Sequence, residues 1–439
     1  MNELQNEEEK NAHQPEDGGT TTKLSSILRG ENVLSTKNFE GQSGKIDNEE
    51  ELANFTPIID FPNFLLHALY VKRMLNGEGN PDMSEASVSI PSSQNLLEEF
   101  PSRHHYSGTH KSSELTVSWV VDFVNLLFKM RVLFDQNIVY SSHTGSGPDD
   151  YRWEVGHRDS EKEDQAVTDL HTHIIILQSM FQVTFTPRTS KNFLFRYLHW
   201  LVKEFNKQFN ADGKADAKEE RSSGWLGIHV GDTRYNLLNQ DFLKFLQELA
   251  DEYFPLTSVA ELNRGTGVPN YVFNYLDYSL WRIAKGNLKS DKSEWNNKQL
   301  TKQLKSAIKN FRFRYRTSVE HFYPQNPSNH ILLPREAERR SASSRHSRQD
   351  EHRKIVDQFG NLCLMTRSEN SRRSNLVPEA KSAEYKKDLS SQSLKFQLMN
   401  EENKEWGEEQ IERHGEDMLR ALKLAGIALG KETSDIVAP

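Results

Sequence analysis

The chain has 439 residues, 63 of them acidic and 55 basic, for a net charge of −8. That length allows two or three domains, whereas an apolar share of only 35% predicts that part of it does not pack into a core. A single cysteine, Cys363, excludes a disulfide framework and a cysteine-ligated structural zinc, and fits a reducing cytoplasm.

The opening "MNELQNEEEK" has neither the basic start nor the apolar core of a secretory signal. Nowhere does the chain carry the roughly 18 consecutive apolar residues that span a bilayer, so no membrane contact is expected. Charge is unevenly distributed. Residues 1–55 hold 12 acidic and 5 basic side chains, a net of −7, and residues 301–375 hold 16 basic and 7 acidic, a net of +9.

In chain order, residues 1–50 are rich in Glu, Asn, Gly, Ser and Thr and read as a disordered acidic tail. "IIDFPNFLLHALYVKRML" (58–75) has helical spacing behind Pro62, a good first-turn residue. "ELTVSWVVDFVNLLFKMRVLFDQNIVY" is apolar nearly all round, predicting a buried helix that runs into a short strand. Four more helices follow from "AVTDLHTHIIILQSMFQV", "SKNFLFRYLHWLVKEFNKQF", "QDFLKFLQELADEYF" and "VPNYVFNYLDYSLWRI". Together these predict a helical platform over residues 51–300. His171 and His173 lie two apart within a helical pattern, so they diverge and do not share a metal.

The period changes near residue 308. In "FRFRYRTSVEHFY" Phe311, Phe313, Tyr315 and Val319 alternate with Arg312, Arg314 and Arg316, predicting a strand with one apolar and one basic face. Pro324 stops it. A polar, arginine-rich stretch (335–354) reads either as a DNA-contacting loop or as a solvated insert, and His330 as a solvated loop residue. "GNLCLMT" (360–366) predicts a second strand, and a helix should open near Pro378.

This strand, loop, strand, helix order resembles the HNH, or ββα-metal, nucleases. "EHFYPQ" is similar to the family element D/E-H-I-x-P-Q. "GNLCLMTRSENSRRSNLVPEAKSAEY" is similar to its Gly-Asn-Leu strand with trailing asparagines, lysine and tyrosine. The nine-residue step from Asn361 to Asn370 is also that of the HNH domain of RNA-guided CRISPR nucleases. The C-terminal nuclease domain of GmrSD-type restriction proteins, which act on modified phage DNA, resembles it further: Trp406, Ile411 and Arg413 stand at the spacing of that family's trailing "W....I..R".

The resemblance implies an α+β protein, a mainly helical platform followed by a ββα-metal nuclease domain with flanking helices over residues 301–425 and a flexible end at 426–439. It implies a metal-dependent DNA endonuclease in antiphage defence. Phosphodiester hydrolysis needs a base, positive charge on the phosphoryl oxygens and a stabilised leaving oxygen. On that basis His321 is the expected general base, and Glu320 and Asn370 are the expected ligands of Mg2+ (or Mn2+). Asn361 is expected to orient the His321 ring. Arg312, Arg314, Arg316, Arg367, Arg372 and Arg373 are expected to neutralise DNA phosphates. The ParB-like nucleotidase domain often joined to this nuclease has no counterpart in these 439 residues, which predicts a separate nucleotidase or sensor subunit. An RNase or toxin of the same fold, and a catalytically inert adaptor, are the alternative readings.

Overall fold

A computed structural model describes residues 58–77, 88–100, 116–143, 151–156, 165–185, 191–211, 235–254, 259–286, 298–333, 345–366, 375–385, 392–401 and 406–424. The predicted tail and C-terminal end, Arg367, Asn370, Arg372 and Arg373 lie outside the described residues.

Helix α1 (Phe61–Leu75) starts where the Asp60 side chain accepts from the Asn63 backbone N–H at 2.9 Å, with Pro62 in its first turn. Thr116 caps α2 (Val117–Asn137) in the same way. A short hairpin follows, β1 (Tyr140–His143) antiparallel to β2 (Tyr151–Glu154); its second strand is not evident in the sequence. Next come α3 (Gln165–Thr184), α4 (Asn192–Ala211), α5 (Gln240–Tyr253) and α6 (Asn270–Lys285). The rings of Phe181, Phe193, Tyr197 and Phe254 meet where α3, α4 and α5 converge.

Helix α2 differs from its predicted burial. Val117, Val121 and Phe128 are exposed, and the helix meets the core along one side only, at Phe123, Met130, Leu133 and Phe134. The helix buried on all sides is α6, which packs against α3 and, beyond residue 297, against α7 (Lys298–Ala307), α10 (Leu394–Glu401) and α11 (Glu408–Leu424). Gly286 ends α6 at φ 72°, a left-handed conformation that costs glycine nothing.

The predicted long strand is shorter. Only β3 (Ser318–His321) pairs, antiparallel to β4 (Leu362–Met365), with Glu320 opposite Cys363 and His321 opposite Leu362. Residues 311–317 form no regular element and lie outside the ladder, pinned where the Trp153 indole N–H donates to the Phe313 carbonyl at 2.7 Å. Alternation fails there, because Arg314 and Arg316 are buried along with Phe311 and Phe313. The arginine-rich stretch also departs from prediction: its second half is helix α8 (Arg345–Val356). Helix α9 (Pro378–Tyr385) opens at the expected proline. One hydrophobic core runs continuously from Ile58 to Leu422, across residue 300.

Candidate active site around His321

Adjacent residues of a strand point to opposite faces, and this alternation divides the Glu-His pair. Glu320 faces α9, where its Oε1 lies 3.0 Å from Lys381 Nζ. Both side chains are buried, and Lys381 also donates to the His321 carbonyl. Burial pushes the Glu320 carboxyl above its ordinary range, and the Lys381 ammonium partly opposes that shift.

His321 faces the turn before β4. Its Nε2 lies 2.8 Å from Asp357 Oδ1. A carboxylate accepts, so the ring carries its proton on Nε2 and directs a lone pair from Nδ1. Burial lowers the imidazole from its ordinary value, keeping it neutral, while the Asp357 carboxylate pulls the other way. Gln325, of the "PQ" pair, donates from Nε2 to the same Asp357 oxygen at 2.9 Å.

Asp357 is itself fixed from the turn before α6. The Gly265 N–H donates to the Asp357 carbonyl at 3.1 Å, and Gly265 sits at φ 58°. A Cβ there would come within 2.7 Å of Asp357 Oδ1, so both conformation and space require glycine. Asn263, two residues earlier, accepts from the Phe359 N–H at 2.8 Å. The turn of residues 263–267 thus braces the carboxylate that holds the imidazole.

Asn361 does not hold the ring, which corrects the sequence expectation. It is fully buried, and its carboxamide is used on the loop after β3. Oδ1 accepts from the Tyr323 N–H at 2.8 Å and from the Trp406 indole at 3.1 Å. Nδ2 donates to the carbonyls of Tyr323 and Val356, both at 2.9 Å. Two donors and two acceptor contacts exhaust the amide, so its influence on His321 passes through the backbone. Gly360 permits the close approach of α11: a Cβ on it would lie 1.8 Å from the Ile411 carbonyl. Lys395 closes the turn from inside, donating to the carbonyls of Phe359, Gly360 and Leu362.

His352 supports the same loop from behind. Its Nδ1 accepts from the Leu333 N–H at 2.9 Å, so its protonated Nε2 donates to the Pro324 and Gln325 carbonyls. His330 is exposed in a turn at φ 56°.

Of the expected phosphate-binding arginines, three lie among the described residues. Arg314 and Arg316 are buried, Arg312 is half-buried, and Arg316 lies near enough to Asp277 to act on its charge. They do not form an open basic face. Arg367, Arg372 and Arg373, and with them the expected ligand Asn370, fall outside the described residues.

The donors at Glu320 suit a hard divalent cation in kind: a buried carboxylate that binds one cation, Lys381, through one of its oxygens. Among the described residues no group of three or more His, Cys, Asp and Glu is placed to hold a metal. No helix of the described residues is long and apolar enough to cross a membrane.

A short antiparallel strand pair and its following helix, framing a histidine whose second nitrogen is held by a carboxylate, belong to a restriction-endonuclease-type module. The matching family model is that of GmrSD restriction endonucleases, C-terminal domain, over residues 263–421, and the chain therefore carries a GmrSD-type C-terminal domain. No curated protein and no solved structure matches the chain. The match begins at the turn that braces Asp357, upstream of the change of period near residue 308.

Two residues of the site escape a reading of spacing alone. Lys381 is the lysine of the quoted "GNL…K…Y" element, so its position was visible while its partner was not. Asp357 gave no signal, because only the folded turn brings it 36 positions back to His321.

Proposed function

We propose that the chain is a DNA endonuclease of antiphage restriction that hydrolyses phosphodiester bonds at His321. The observation that carries this reading is the 2.8 Å contact between His321 Nε2 and Asp357, which leaves Nδ1 as the basic nitrogen of a neutral imidazole. Nδ1 removes a proton from the attacking water, and the positive charge that develops on the ring faces the Asp357 carboxylate. Gln325 and the Gly265 turn keep that carboxylate in place. Asn361 fixes the backbone on which the base is mounted.

Mg2+ (or Mn2+) would be held by Glu320 and Asn370. When bound, such an ion supplies Lewis-acid stabilisation of the phosphate and leaving oxygen. Lys381, at the Glu320 carboxylate, sets how readily that carboxylate accepts a second cation. A separate ParB-like nucleotidase or sensor subunit would restrict cleavage to marked DNA; the support is the domain arrangement common among GmrSD-type proteins.

The test is nicking of plasmid DNA and modified phage DNA, with RNA alongside, in magnesium or EDTA, with and without the product of the neighbouring gene. Magnesium-dependent DNA cleavage is expected, and preferential RNA cleavage overturns the substrate assignment. The Glu320–Lys381 pair also favours a second reading, an inert adaptor in which the lysine has replaced the ion. Absence of nicking under every metal condition, in wild type and Lys381→Met alike, would select it.

A further inference from the structure

Residues 298–316, from the start of α7 to just before β3, contain seven lysines and arginines and no aspartate or glutamate. Helix α7 sorts its own by face. Leu300 and Leu304 are buried, on a helix that packs against α6 and α10, whereas Lys302 and Lys305, with Lys309 in the turn beyond, are exposed. The Ile308 N–H donates to the Leu304 carbonyl, which carries the helical turn to the third lysine. Spacings of three and four residues set the three lysines along one face, over about 10 Å of helix length.

Two exposed lysines of the platform have acidic neighbours on their own helices: Lys207 lies 3.4 Å from Glu204 on α4, and Lys244 lies 3.8 Å from Glu248 on α5. The α7 lysines have none. Lys302, Lys305 and Lys309 form no ion pair with a described residue, and Glu401 of α10, beside α7, takes its hydrogen bond from the uncharged Gln303. Like charges three and four residues apart on a helix repel one another, and a linear polyanion lying along them relieves that repulsion.

We infer that α7 is a docking surface for the backbone of duplex DNA. One strand carries a phosphate about every 3.4 Å of helix axis, so about three phosphates pass along the stripe, one for each lysine. It takes the place of the basic strand face that Arg314 and Arg316, being buried, do not provide. The inference rests on the DNA-cleavage reading and deepens it. The chain between α7 and β3 is held at Phe313 by Trp153 and at Thr317 by Asn270, whose Nδ2 donates to the carbonyl at 3.1 Å, so the stripe is tied to the strand that presents His321. Phosphate contacts fix position and carry no sequence information, so α7 sets affinity and leaves the choice of DNA to other groups.

The test is fluorescence anisotropy of a labelled duplex of about twenty base pairs with the full chain in EDTA, which separates binding from cleavage, at about 50 to 200 mM salt. The triple variant K302Q/K305Q/K309Q should bind at least about tenfold more weakly than wild type, to the same degree for duplexes of different sequence. Its slope of log affinity against log salt should be shallower by about 3, about one for each lysine. Glutamine has nearly the helix propensity of lysine, so the melting temperature should stay close to wild type. The control K207Q/K244Q should bind like wild type. If the triple variant fails to fold, K305Q alone should weaken binding at least about twofold and reduce the slope by about 1. Wild-type affinity and slope in whichever of these α7 variants folds, or equal weakening in K207Q/K244Q, overturns the inference and leaves the DNA reading standing. Failure of the wild-type chain to bind duplex DNA overturns both.

Discussion

Asn137 in the helical platform and Asn361 beside the candidate active site are the same device in two settings. Each is fully buried and uses its carboxamide to tie down a loop. Asn137 donates to the carbonyls of Leu133 and Tyr235 at 2.8 and 2.7 Å and accepts from the Leu237 N–H at 2.7 Å. Asn361 does the same for Tyr323 and Val356, and also receives the Trp406 indole. What differs is the cargo. The loop held by Asn137 joins neutral, aromatic packing, whereas the loop held by Asn361 follows directly on His321, among buried charges: Glu320 on Lys381, and Lys395 on three carbonyls. An asparagine at a nuclease motif can therefore act as scaffolding, and its functional weight comes from what it positions.

The largest effect is expected where α11 meets the turn before β4. Gly360→Ala should cost about 3 kcal/mol or more in a urea melt, because its Cβ would collide with the Ile411 carbonyl, a backbone atom that cannot rotate aside. A near-neutral result would mean that α11 does not pack on the turn as described.

Asn137→Ala and Asn361→Ala should each lose about 2–3 kcal/mol of stability, since each leaves several buried backbone groups without a partner. Cleavage per folded molecule should fall only in the Asn361 variant. Equal loss in both would dissolve the distinction.

Imidazoles provide a third comparison. His173, between Tyr278 and Trp281 in the platform, is pushed down to about 3 by burial, its Nε2 lying 2.8 Å from the Tyr278 hydroxyl. The unfolded chain takes up this proton near the ordinary imidazole value while the folded one resists. Stability from His173 is thus complete above about pH 6.5 and declines as pH falls toward 3. Between pH 7.5 and 5 the loss should be about 2 kcal/mol, read as a pH-dependent shift of the denaturation midpoint and flattened in His173→Gln. An unchanged pH slope in that variant would contradict the burial of this ring.

The smallest effect concerns the carboxylate behind the base. Asp357→Asn keeps the shape but weakens the preference for the proton on Nε2, and should slow cleavage about 10- to 100-fold with binding of DNA little changed. Asp357→Glu should recover less than Asn loses, because Gly265 leaves no room for a longer arm. Wild-type turnover in Asp357→Asn would remove Asp357 from the site.

Much of the fold was legible because helical periodicity is strong: α1, α3, α4, α5 and α6 fall where apolar residues recur three and four apart, and Pro62 and Pro378 mark helix starts. The alternation at 311–316 misled, since Trp153 pins that segment outside the sheet and the core takes Arg314 and Arg316 with the phenylalanines. Helix α8 was hidden by a composition of charge without an apolar stripe. At the site, the motif singled out His321, Glu320 and Asn361, but spacing could not reveal that strand alternation sends Glu320 to Lys381 and His321 to Asp357. Such partners are set by long-range packing, 61 and 36 residues away.

Whether His321 is the general base is decided by DNA cleavage with His321→Ala and wild type in magnesium, the folded fraction of each being measured by circular dichroism. A loss of rate of at least about a hundredfold at unchanged fold is expected. Wild-type cleavage by a folded His321→Ala protein would contradict it.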